Sequence, residues 1–146
     1  MGNRPTIWAA AFIVVTALLG TGCSESEPDD GDTYYPATVD ELDHGDMKRV
    51  TLTDDAASRI GLESATARQD GSLTVVPYAA LIYDGDGDAW VYEARGRLEF
   101  VRTEVDVERV EGDLAWLSEG VTPGARVVTV GATELYGAEL EIDGGH

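Results

Sequence analysis

Reactive side chains are scarce in this chain. Among its 146 residues there is one cysteine, Cys23, and there are two histidines, His44 and His146. A single thiol has no internal partner, so a disulfide within the monomer is excluded. Neither histidine stands at a metal-ligand spacing and no serine has a histidine nearby, so the sequence offers no pattern for nucleophilic, acid/base or metal chemistry. Basic residues are scarce too. Lys and Arg total 10 against 28 Asp and Glu, a formal net charge of −18. Such a field repels nucleic-acid phosphates and anionic headgroups, so neither is expected as a direct binding surface. Long apolar runs are confined to residues 7–19.

That run follows Arg4 and is short for a membrane span, but it suits the core of an export signal. The chain is therefore expected to be exported, with residues 1–22 as its signal peptide. Leu19-Gly20-Thr21-Gly22-Cys23 places the one cysteine directly after small residues. This stretch resembles a lipoprotein signal in which Cys23 becomes the lipidated first residue, although Gly20 stands where that motif usually has leucine. Lipidation at Cys23 implies anchoring at the extracytoplasmic face of the cell membrane by several acyl chains. An uncleaved anchor helix or an ordinary secretory signal is the alternative. Residues 23–45 carry acids, serine, proline and glycine with little to bury, and read as a flexible acidic tether.

Residues 46–146 remain, enough for one core and not for two. Val101, Thr103, Val105 and Val107 alternate with Arg102, Glu104, Asp106 and Glu108, the period of a half-buried strand. Short apolar runs at 90–92, 98–101, 114–117 and 127–130 are separated by Arg95-Gly96, Glu111-Gly112-Asp113 and Thr122-Pro123-Gly124. The expected fold is all-β, a small antiparallel sandwich or barrel-like domain with one or two short helices. One helix is expected after Thr53 as cap, with Asp54 and Asp55 in its first turn, Ala57 and Ile60 facing inward and Gly61 as stop. A helical turn is expected over 132–136 and a final strand over 138–142. The expected core is Val50, Leu52, Ile60, Leu62, Val75, Leu81, Trp90, Tyr92, Phe100, Val105, Trp116, Val128 and Val130.

Three blocks in this order, VTLTDDAASRIGLESATA, VPYAALIYDGDGDAWVY and EGDLAWLSEGVTPGARVVTVGATELYGAE, resemble the periplasmic adaptor subunits of resistance-nodulation-division efflux pumps. These are the membrane fusion proteins of the HlyD type. The resemblance spans residues 49–139 and rests on the order and spacing of the blocks together. It implies a membrane-proximal β-domain built from both ends of the adaptor chain and set against the transporter. Adaptors of that family carry a β-barrel, a lipoyl-like domain and a long helical hairpin between the terminal blocks, whereas here only Gln69-Asp70-Gly71 stands between them. A bridging role between two membranes therefore does not carry over, and the transporter-facing part does.

Two motifs invite a metal reading. Asp84-Gly85-Asp86-Gly87-Asp88 alternates oxygen ligands, but an EF-hand loop starting there would have Ala89 at its glycine position and Arg95 in place of the bidentate glutamate. A plain hairpin turn is expected instead. His44 with Met47 is too small a soft-ligand set for a selective site. No catalytic, cofactor or metal residue is therefore assigned. The expected function is contact: a lipid-anchored accessory protein of an efflux permease of the resistance-nodulation-division type or similar, exposing an apolar patch rimmed by acids. The alternative is a free-standing surface lipoprotein that binds a cation or small ligand through its acidic turns.

Overall fold

The computed structural model describes residues 35–42 and 47–143. The expected signal peptide (1–22), Cys23, His44 and His146 lie outside the described residues. The elements are β1 (Ala37–Glu41), β2 (Lys48–Leu52), α1 (Asp54–Arg59), β3 (Glu63–Thr66), β4 (Arg68–Asp70) and β5 (Leu73–Pro77). A 3₁₀ turn at Tyr78–Ala80 leads to β6 (Ile82–Tyr83), β7 (Ala89–Gly96), β8 (Glu99–Glu104), β9 (Asp106–Glu111), β10 (Leu114–Glu119), β11 (Arg126–Val130) and α2 (Ala132–Asp143).

The strands form two antiparallel sheets, as the all-β expectation requires. The larger runs β1-β2-β8-β7-β11-β3 with β6 also on β7, and the smaller runs β4-β5-β10-β9. Adjacent residues on the central strands point to opposite faces, and both faces are covered. Tyr92 and Val128 join Phe100, Leu52, Ala56 and Leu135 in a core shared with the helices. Their neighbours Val91 and Val127 join Val76, Ala115 and Leu117 in a second core between the sheets, so the single core expected for residues 46–146 is corrected to two, one on each face of the large sheet. Double coverage explains the unbroken apolar runs of these strands, since a one-sided sheet would alternate apolar with polar.

The sheets share chain at two corners. At Val105 the chain leaves the large sheet as β8 and enters the small one as β9, while the Val105 N–H still reaches back to the Ala89 carbonyl at 2.9 Å. At Ala67 it passes from β3 to β4, and Ala67 bonds through N–H to Ala125 and through C=O to Gly124, both at 2.8 Å. Strands that switch sheets at bends are the usual corners of orthogonal packing. The expected single strand over 101–108 is corrected accordingly. Its alternation is real, but Val105 is buried at a corner and the strand is split between two sheets.

Helix α1 starts as expected. Thr53 Oγ1 accepts from the Ala56 N–H at 3.2 Å, Asp54 and Asp55 occupy the positive end, and Gly61 adopts a φ of 63° just past the end. Its buried residue is Ala56, with Ala57 and Ile60 packed partly against the same core.

Three further expectations are corrected. The tether expected through residue 45 ends earlier, because β1 pairs with β2 in register from Ala37↔Leu52 to Glu41↔Lys48 and buries Ala37. The final strand expected over 138–142 is helix: Ala132, Leu135 and Glu139 fall on one face and are all buried, a spacing that fits α2 and no strand. Val130, expected in the core, is 43% exposed.

The loop after β10 lies against the Val105 corner. Gly120 has a φ of 106°, and a Cβ there would stand 2.4 Å from the Glu104 carbonyl oxygen. Gly120→Ala is expected to cost at least about 2 kcal/mol in urea unfolding of the purified protein. Gly112→Ala, at a φ of 58° with nothing within 4 Å, should cost about 1 kcal/mol.

Candidate interaction surface

Helix α2 carries Glu139 down onto the large sheet, where it is 2% exposed. Two cross-strand partners on β7 and β8, Tyr92 and Arg102, receive it. The Tyr92 hydroxyl donates to Oε2 at 2.6 Å, and Arg102 Nη2 stands 3.0 Å from Oε1, so each carboxylate oxygen has a donor. Both contacts are charge-assisted, and the phenol one is short. Burial together with this bond to Glu139 pushes the Tyr92 hydroxyl far above its ordinary pKa, so it stays a donor at any physiological pH. The Arg102 guanidinium lies over the Trp90 ring at 4.3 Å from its centroid and 5.4 Å from that of Tyr136 on α2.

Trp90 is set from its other side by the acidic turn. Its indole N–H donates to Asp84 Oδ2 at 2.9 Å. The second oxygen, Oδ1, accepts the backbone N–H groups of Asp86, Gly87 and Asp88 at 3.0, 3.0 and 2.9 Å. The turn expected at Asp84-Gly85-Asp86-Gly87-Asp88 is therefore present as a cap on a single carboxylate, which also fixes the tryptophan. Among the described residues no three His, Cys, Asp or Glu side chains come together in a way that could hold a metal. The Trp90 N–H and the turn's amides hold the Asp84 carboxyl below its ordinary value of 3.8.

Beside this cluster lies an open groove of about 360 Å³ lined by Met47, Trp90, Arg102, Thr103 and Glu104. It follows the end of β8: β2 pairs with β8 only from Arg49↔Val101 to Thr51↔Glu99, so residues 102–104 run past the last of these pairs. Met47 is 42% exposed at its margin. Thr103 donates to Glu93 Oε1 at 2.8 Å, and Arg95 Nη2 stands 3.1 Å from the same oxygen, so this second buried carboxylate is also answered.

The outer face of the small sheet repeats the arrangement in more open form. The Trp116 indole donates to Asp70 Oδ2 at 2.8 Å, and Arg109 stacks over the ring at 4.3 Å. Asp70 sits at the tip of the β4–β5 hairpin, opposite Leu73 across Gly71 and Ser72. Trp90 and Trp116, expected in the core, are both only partly buried because each fronts one of these faces.

Of the residues considered for metal binding in the sequence, Met47 lines the groove, and the acidic turn reaches it only through the Asp84 bond to Trp90. Tyr92 and Glu139 are 47 positions apart, and no local pattern marks them as a pair. A glutamate on the apolar face of a segment read as helix would have been the signal. No protein-family model, curated protein or solved structure matches the chain.

Two outcomes test the geometry. Arg102→Met leaves the Glu139 charge buried with Tyr92 alone, and is expected to cost about 3–5 kcal/mol in urea unfolding. The double variant Arg102→Met with Glu139→Leu should recover a large part of that loss. Asp84 binds its proton less readily folded than unfolded, so its contribution is complete above pH 3.8 and is lost as pH falls through its own lower value. Asp84→Asn should flatten that acid limb in melting curves recorded from pH 5 to 2.

Proposed function

We propose that this protein is a lipid-anchored extracytoplasmic adaptor that acts by contact on an efflux permease of the resistance-nodulation-division type or a similar transporter. The observation that carries the reading is the groove at Met47, Trp90 and Arg102, an apolar surface edged by Glu104, with Asp84 bonded to the Trp90 indole behind it. Apolar centres with polar rims are the anatomy of protein contact sites.

Two features of the fold support it. Early and late parts of the chain build one domain, since β2 pairs with β8 and α2 packs on β1 and β2. This is the construction that the resemblance implies for a membrane-proximal adaptor domain. The position where adaptors of that family carry their further domains is here the tip of the β4–β5 hairpin, closed by Gly71 at a φ of 60°. A surface hairpin tip is where segments are added or removed without disturbing a core. Lipidation at Cys23 would hold the domain at the membrane where such a permease presents its outer loops.

Crosslinking of the tagged full chain in its native membrane, with mass spectrometry of the solubilised products, tests the proposal. Recovery of a multi-span permease is expected. Recovery of lipid and cell-wall proteins alone overturns it.

A further inference from the structure

The groove beside Trp90 also carries information about what enters it. Its apolar lining is the Met47 thioether and the Trp90 indole, between the polar Arg102, Thr103 and Glu104, so its middle suits one apolar side chain. Met is adaptable, which fits a side chain of either aliphatic or aromatic shape.

The charges around it have one sign left over. Arg102 is matched by Glu139 at 3.0 Å, and Lys48 stands opposite Glu41 in the β1–β2 register. Glu104 lines the groove and Asp84 touches the Trp90 indole, and the donors that bind Asp84 are uncharged N–H groups. Glu104 therefore lines the groove, with the Asp84 carboxylate one hydrogen bond behind Trp90, on a chain of net charge −18. A second copy of this chain would bring the same charges to the same place and be repelled. A cationic occupant is attracted.

The backbone adds a shape. Because the last β2–β8 pair is Arg49↔Val101 and β2 begins at Lys48, the groove runs beside a short length of β8 edge, Thr103 and Glu104, that has no β2 pair among the described residues. Exposed edges take up extended segments, with alternate side chains entering pockets.

We propose that this groove binds an extended segment of a protein partner that presents one apolar side chain flanked by lysine or arginine. The inference rests on the contact role proposed above and names the chemistry of the partner at that site.

The test uses the full chain in detergent micelles, titrated with three fluorescent hexapeptides whose central residues are Lys-Phe-Lys, Glu-Phe-Glu or Lys-Ser-Lys. Saturable binding is expected for the first, at least tenfold weaker binding for the other two, and weakening of the first as salt rises. Met47→Asp should weaken it at least tenfold and Glu104→Gln should reduce its salt dependence. Val110→Asp, on the small sheet, serves as the folded control and should change neither. Equal binding of all three peptides, saturable binding of none, or indifference to Met47→Asp overturns the proposal. Peptide binding without a crosslinked permease would leave the groove standing and remove the adaptor role, and the reverse pattern would do the opposite.

Discussion

Glu139 has left water, and the position of α2, the burial of Tyr92 and the setting of Arg102 all answer to that fact. A carboxylate at 2% exposure is tolerable only when both oxygens have donors, and here a phenol and a guanidinium from neighbouring strands supply them. The same guanidinium lies over Trp90, whose indole N–H reaches the acidic turn. One ionic contact under a helix is thus continuous, through four side chains, with a surface loop. The groove margin is built on this chain of contacts.

Coverage of the large sheet on both faces organises the remainder. Helices fill one side with Leu135 and Ala56, and the small sheet fills the other with Val76, Ala115 and Leu117. A chain that supplies both layers from the same strands has to turn corners, and it does so at small or β-branched residues, Ala67 and Val105, with Gly120 cleared of side chain where the backbones meet. The acidic surface is what remains once the apolar residues have been divided between two cores.

Strand positions were legible in the sequence because turn formers separate the apolar runs, and α1 was legible because Thr53, its two aspartates and Gly61 each act locally. The corner at Val105 was hidden since the two-residue alternation continues through it while the sheet changes. The start of α2 was read as a helical turn, but its second half was misread as strand because the inward residue there is Glu139, which pattern reading assigns to solvent. β1 was misread because Asp40 and Glu41 resemble the acidic stretch before them, and only pairing with β2 distinguishes strand from tether. At the groove, Met47 and the Asp84 turn could be named in advance. The role of Asp84 as support for Trp90, and the Tyr92–Glu139–Arg102 contact, depend on neighbours brought together by folding.

The segment from Glu99 to Glu111 belongs to both sheets, with a single residue between its two halves. Neither sheet can open by itself without pulling on a strand of the other, so the domain has no natural line along which to come apart in stages. Amide hydrogens in β7 and in β10, although they sit in different layers, should therefore exchange through one shared event.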